Sequence, residues 1–194
     1  LDVLPLSPRS GDILTDNEVV RLECLSVHSK MIAPNLQLDL VSANDRVLPG
    51  RFARIAAANL NRGRQYQILL PGDVGWSWSP VIHAYRRLLT EMGVLADGMK
   101  RYRCFVTDQP VFTGVYLYKI DLVTLGREDP YFYEAIQPYV SEDNWVGFSR
   151  HAHGGAPGPG TLFERENLER SLESFDRLWS DALRGAAAGR GAGS

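Results

Sequence analysis

Residues 36–71 constrain the fold most, because they show the pattern of a strand, a helix and a second strand in immediate succession. A short apolar run is followed by apolar residues at helical spacing, and a second apolar run closes the unit. Because strands that run in the same direction need a crossover, usually a helix, this order predicts a parallel sheet covered by helices. The three segments consist of Leu36, Leu38, Leu40 and Val41, then Phe52, Ile55, Ala56 and Leu60, then Tyr66-Gln67-Ile68-Leu69-Leu70.

Turn and cap signals add further elements on both sides of this unit. Thr15 and Glu18 have the spacing of a capping box, so a helix is expected to start there and to run through Val27 and Met31. Later apolar runs predict three more strands, at residues 102–106, 115–123 and 145–148. The sequence therefore predicts a single α/β domain, with a mostly parallel or mixed sheet of about five strands and helices on both faces.

The composition is that of an ordinary globular protein, with 194 residues, 44% of them hydrophobic, and a formal net charge of −2. This near-neutral balance argues against a dedicated nucleic-acid binder. We expect an N-terminal arm over residues 1–14, the α/β domain over 15–184 and a disordered Gly/Ala-rich tail over 185–194. Since no uninterrupted apolar run reaches about 18 residues, no membrane-spanning helix is predicted, and a cytoplasmic location is expected.

The segment His28-Ser29-Lys30, followed by Asn35, contains the first candidate catalytic residues. It resembles the signature of the phospholipase D superfamily, in which a His and a Lys two residues apart precede an Asp. The resemblance implies that His28 attacks phosphorus and that Lys30 holds the phosphoryl oxygens, in a phosphodiesterase or nucleotide-processing enzyme. The helical periodicity instead places both residues near the end of the first helix, where their side chains point about 200° apart and interact favourably with the helix dipole.

A broader part of the chain is similar to degenerate phospholipase D-like domains of bacterial regulatory proteins. The similarity involves the predicted strand at residues 36–41 and the helix after it, then residues 59–66, the strand that ends at Pro71, and the closing segment 175–182. In catalytic members of that family the His-Lys signature falls near the later strands, whereas residues 116–121 of this chain contain no His. The resemblance therefore implies a non-catalytic sensing or interaction domain that binds a small anionic ligand or a protein partner. The enzyme using His28 and Lys30 is the alternative.

Four side chains are candidate ligand contacts. Trp76 and Trp78 lie in a Gly-rich loop after a predicted strand, which is where open α/β sheets often bind ligands. Arg64 and Lys119 can supply counter-charge for an anion. The alternatives are that the tryptophans pack on the domain's own core and that the two cations lie in solvated positions.

No metal or cofactor site is expected. His151 and His153 have a chelating spacing, but a third ligand at a dependable distance is missing, although Glu164 follows. Residues 151–160, which include both histidines, are rich in Gly and Pro and are expected to form a mobile loop. The two cysteines, Cys24 and Cys104, are expected to be free thiols.

Overall fold

The computed structural model describes residues 12–34, 36–43, 46–72, 75, 77–109, 113–153 and 156–191. Its strands are β1 (Ile13–Leu14), β2 (Ser26–Ile32), β3 (Leu40–Ala43), β4 (Arg46–Pro49), β5 (Gln65–Pro71), β6 (Tyr102–Thr107), β7 (Gly114–Ile120), β8 (Trp145–His153) and β9 (Ala156–Leu162). Its α-helices are α1 (Asp16–Leu25), α2 (Arg51–Asn61), α3 (Ser79–Glu91), α4 (Ala96–Arg101), α5 (Leu122–Glu128), α6 (Pro130–Ile136) and α7 (Arg165–Gly191). Two 3₁₀ turns complete the order, at Leu36–Asp39 and Gln137–Tyr139.

The main sheet is mixed and has seven strands in the order β1-β9-β8-β7-β2-β5-β6. Strands β2, β5 and β6 are parallel, and β7, β8, β9 and β1 continue the sheet with antiparallel pairs. The predicted α/β class with a mixed sheet is confirmed. The sheet is wider than expected because β9 and β1 extend its antiparallel side.

The predicted strand–helix–strand unit is wrong in its first strand. Leu36–Asp39 is a 3₁₀ turn, and β3 pairs antiparallel with β4 in a separate two-stranded sheet. The parallel partner of β5 is β2, so the crossover that contains α2 starts one element earlier than predicted.

The helix expected from Thr15 to beyond Met31 ends at Leu25, which frees Ser26–Ile32 to form the central strand. The capping box of Thr15 and Glu18 is present as predicted. The apolar residues of this segment also fit a helix. The segment forms a strand because β2 is hydrogen-bonded to a neighbouring strand on each side, β5 and β7.

The Gly- and Pro-rich stretch 151–160 was expected to be a mobile loop, and this is wrong for the part that the structure describes. It supplies the end of β8 and most of β9, which pair around Ala152 and Pro157. Among the described residues β1 pairs with β9 only at Gly160 and Thr161. The proline-containing part of β9 therefore lies at a sheet edge, where a missing N–H is tolerated.

Helices cover both faces of the main sheet, as predicted. Residues of α1 to α6 join one hydrophobic cluster with the sheet, and α7 forms a second cluster on the opposite face through Leu168, Phe175 and Trp179. Helix α7 continues to Gly191 and so covers most of the segment 185–194 that was expected to be disordered. In the described ranges, no helix combines the length and the apolar character needed to cross a membrane.

A tyrosine-lined cavity as the candidate functional site

A cavity of ≈ 290 Å³ lies between the sheet and the helices of its α1–α6 face. We call it the tyrosine cavity, because five tyrosines line it: Tyr66, Tyr85, Tyr102, Tyr116 and Tyr118. The other ionisable side chains in its wall are Glu23, Asp39, Arg51, Arg150 and His151. Its volume is close to the lower end of the range typical of small-molecule sites, about 300–1,000 Å³.

The sheet places most of these tyrosines by alternation and register. Tyr102, Tyr66, Ser29 and Tyr118 are neighbours on successive strands β6, β5, β2 and β7, so their side chains share one face. Tyr116 lies two residues before Tyr118 and points to the same face. The small side chain of Ser29 in the middle of this row separates the bulky rings on either side of it.

Glu23 is a carboxyl on the apolar side of α1 that is buried in the cavity wall. It is 2% exposed, and its two oxygens accept hydrogen bonds from the hydroxyls of Tyr66 (3.1 Å) and Tyr118 (3.0 Å). Burial raises its pKa from 4.5 to about 8, because desolvation outweighs the two hydrogen bonds. At neutral pH Glu23 is therefore mostly protonated, and it can act as a hydrogen-bond donor or as a proton source.

Asn59 and Arg64 form hydrogen bonds that fix the groups around the Glu23 carboxyl. The Nδ2 of Asn59 donates to the hydroxyl of Tyr66 (2.8 Å) and to the backbone carbonyl of Glu23 (2.8 Å). The Nη1 of Arg64 donates to Oδ1 of Asn59 (2.7 Å) and to the carbonyl of Cys24. Arg64 was predicted to contact a ligand. In the structure it donates to the side-chain amide of Asn59, and this amide donates to the hydroxyl of Tyr66.

Asp39 supplies a second carboxyl, from the 3₁₀ turn before β3. Its Oδ2 accepts from the hydroxyl of Tyr85 (2.8 Å) and its Oδ1 from the backbone N–H of Phe52 (3.1 Å). Burial raises the pKa of Asp39 above its usual value. Gly50 is required beside it, since a Cβ at that position would lie 2.1 Å from Oδ1 of Asp39.

Two arginines line the other part of the wall and share one carboxylate outside it. The Nη2 of Arg150 lies 2.6 Å from Oδ1 of Asp16, and the Nη1 of Arg51 lies 3.1 Å from its Oδ2. The Arg150 side chain is only 6% exposed, so this ion pair compensates a charge that is nearly removed from water.

Tyr102 differs in its hydrogen bonding from Tyr66, Tyr85 and Tyr118, whose hydroxyls bond to Glu23 or Asp39. Its ring stacks on that of Tyr85, with centroids 5.7 Å apart and planes 8° from parallel. The residue is 1% exposed, and its hydroxyl has no hydrogen-bond partner among the described residues. A buried hydroxyl without a partner costs about 1–3 kcal/mol of stability.

Trp78 and Lys119, two of the other predicted ligand contacts, do not line the tyrosine cavity. Trp78 is buried in the core, where its indole N–H donates to the carbonyl of Pro71 (2.6 Å), in agreement with the alternative that it packs on the domain itself. Lys119 lies on β7 opposite His28, on the face that α7 covers. Trp76 lies outside the described residues.

His28 and Lys30 lie within β2, so the expectation that they end a helix is wrong. On a strand their side chains share a face, which the phospholipase D-like chemistry requires. The Lys30 ammonium is 2.6 Å from Oδ1 of Asp176 and lies 5.0 Å from the centre of the Trp145 ring. The Nε2 of His28 is 2.8 Å from Oε1 of Gln67, and burial lowers the pKa of His28. Both side chains are thus engaged in the packing of α7 on the sheet.

Among the cavity residues that were not predicted as site residues, one carried a recognisable signal in the sequence. Glu23 follows Val19 and Leu22 at helical spacing, so it is a carboxylate on an apolar stripe, and such a residue needs a buried partner. The alternation of Tyr116 and Tyr118 is typical of a strand but does not distinguish a cavity wall from a core. Asp39 and Arg150 carry no local signal, because tertiary contacts bury them.

The described residues contain no group of three or more His, Cys, Asp or Glu side chains able to hold a metal ion. Of the residues considered for one, His151 lines the tyrosine cavity, and the His153 side chain lies outside the described part of the chain. Cys24 and Cys104 are free and half-buried. Comparison with protein-family models, curated proteins and solved structures found no match to this chain.

Proposed function

We propose that this chain is a non-catalytic sensing or interaction domain that binds a small molecule in the tyrosine cavity. The observation that supports this most is the cavity itself, whose wall combines the rings of five tyrosines with the carboxyl groups of Glu23 and Asp39. Aromatic walls with a few convergent polar groups are the usual composition of small-molecule sites.

The proposed lack of catalysis is supported by the chemistry of the cavity wall. Tyr116 and Tyr118 lie in the strand where the resemblance to phospholipase D-like domains places a His and a Lys. Burial raises the pKa of Tyr116 to about 12 and that of Tyr118 well above 10. Both hydroxyls are therefore neutral at physiological pH and serve as hydrogen-bonding groups, not as nucleophiles.

Kinship with degenerate phospholipase D-like domains of bacterial regulatory proteins is part of the same proposal. The pattern at residues 36–41 no longer supports it, since that run lies outside the main sheet. Support comes from the parallel pair β2–β5 bridged by α2. The strand β7, at the place where the resemblance puts the His-Lys signature, contains no His, in keeping with a degenerate member of that family.

Ligand-dependent stabilisation tests the proposal. A library of small cationic, neutral and anionic molecules is screened by thermal unfolding, and a ligand at 100 times its Kd adds about 2.7 kcal/mol, or about 5–10 °C. Ala56 lines the cavity, whereas Ala58 is exposed on the same helix. Hits are expected to shift the wild type and Ala58→Leu but not Ala56→Leu. A library without hits, or hits that still shift Ala56→Leu, would contradict the proposal.

The alternative, a phosphodiesterase using His28 and Lys30, is supported by their shared face on β2. It is tested with bis(p-nitrophenyl) phosphate as substrate. Activity in the wild type and in His83→Ala, an exposed histidine of α3, combined with its loss in His28→Ala, would establish the enzyme. Our proposal expects no hydrolysis in any of the three proteins.

A further inference from the structure

The tyrosine cavity contains two carboxyl groups and no cation bonded to either one in the described residues. The hydrogen bonds to Glu23 come from tyrosine hydroxyls, and those to Asp39 come from a tyrosine hydroxyl and a backbone N–H. The arginines of the wall, Arg51 and Arg150, are paired with Asp16 instead.

The walls around these carboxyls are unusually aromatic. Phe52 and the five tyrosines place six rings around a space of ≈ 290 Å³. Aromatic rings attract cations through their negative faces, and this attraction is stronger in a desolvated site, where it reaches about 2 kcal/mol. An aromatic cavity whose carboxyls accept no hydrogen bond from a cation among the described residues is thus suited to a positively charged group on an apolar body.

Asp39 is the carboxyl of the wall whose hydrogen bonds leave acceptor capacity for such a group. Its Oδ2 accepts from the hydroxyl of Tyr85 and its Oδ1 from the backbone N–H of Phe52. An ionised carboxylate has about four lone-pair sites on its two oxygens, so Asp39 can accept a further hydrogen bond. An ammonium group has up to three N–H donors and can supply it.

We propose that the ligand of the tyrosine cavity is a small organic amine with an apolar body, whose ammonium group donates to Asp39. This inference rests on the proposed function. An anion is the less favoured ligand, because Arg64 and Lys119, from which it was expected, do not line the cavity, and because Asp16 holds the two arginines that do.

Binding of an amine is expected to release a proton from Glu23. Glu23 faces Tyr66 on β5, Tyr118 on β7 and Asn59 on α2, with Asp39 and Arg150 close enough to affect its ionisation. A bound ammonium adds a positive charge to this environment and favours the carboxylate. The proton leaves to the buffer, so the affinity for the amine rises with pH.

The test compares three probes of similar shape by isothermal titration calorimetry: 2-phenylethylamine, 2-phenylethanol and 3-phenylpropanoate. The amine is expected to bind at least tenfold more tightly than the other two. Its proton release, measured in buffers with different ionisation enthalpies, is expected to disappear in Glu23→Gln. Asp39→Asn is expected to weaken binding of the amine at least fivefold and to leave binding of the alcohol unchanged, and Asp97→Asn, on the surface of α4, is the control.

The outcomes separate this inference from the proposed function. If the alcohol or the propanoate binds as tightly as the amine, the cavity is a small-molecule site but the inference of an amine is overturned. The inference is likewise overturned if the amine does not bind while other library compounds stabilise the wild type and fail to stabilise Ala56→Leu. If the amine does not bind and the library yields no hits, both proposals fail.

Discussion

Replacing Glu23 by Gln is expected to stabilise the folded protein progressively as the pH rises. Burial raises the pKa of Glu23 from 4.5 to about 8. Between these values the folded state holds a proton that the unfolded state has lost, so the wild-type free energy of unfolding falls with rising pH. The proton on Glu23 makes its full contribution to the free energy of unfolding below pH 4.5, and this contribution is lost by about pH 8.

The magnitude follows from the shift in pKa. At about 1.4 kcal/mol per pH unit, the wild type is expected to lose roughly 4 kcal/mol of stability through Glu23 between pH 5 and pH 9. Gln resembles the protonated carboxyl in shape and hydrogen bonding but does not titrate. The difference in stability between Glu23→Gln and the wild type is therefore expected to grow by that amount over the same range.

Urea unfolding at five pH values from 5 to 9 measures this difference. The control is Glu173→Gln, which removes an exposed carboxylate from α7 and is expected to follow the wild type at every pH. His28 titrates in both proteins, so its contribution cancels in the comparison. A stability difference for Glu23→Gln that does not change with pH would refute the reasoning that desolvation keeps Glu23 protonated.

Three further substitutions test how the fold is held together, each by urea unfolding. Phe175→Ala removes a fully buried ring of α7 and is expected to cost about 3–5 kcal/mol; a loss below 1 kcal/mol would contradict the packing of α7 on the sheet. Gly63→Ala places a side chain at φ 82° and is expected to cost about 1 kcal/mol, whereas an increase in stability would contradict the positive φ. Thr15→Ala removes the capping box of α1 and is expected to cost about 1 kcal/mol, and no change would mean that the cap contributes nothing.

Local signals in the sequence were sufficient for elements whose ends are set by their own residues. The capping box at Thr15 and Glu18 starts α1, and Gly63 adopts the positive φ that ends α2. The apolar residues Leu168, Phe175 and Trp179 recur at helical spacing along α7, because only one face of that helix is buried. These features depend on residues close together in the chain.

The errors arose where contacts between distant residues decided the structure. Ser26–Ile32 has apolar residues that fit either a helix or a strand, and its pairing with both β5 and β7 made it a strand. Residues 40–43 have a strand pattern, but they pair with β4 and not with the main sheet. The spacing of apolar residues in a segment indicates whether it can form a helix or a strand, but it does not identify the strands with which the segment pairs.

The amino-acid sequence by itself determined the α/β class, the helix caps and the apolar faces, because these follow from side-chain spacing along the chain. The tertiary structure alone decided where the candidate site lies. Glu23, Asp39 and Tyr102 come from three separate elements, and their protonation and unused hydrogen-bonding capacity appear only once packing has removed them from water. Desolvation depends on everything that surrounds a group, and for these three residues those surroundings are distant in sequence.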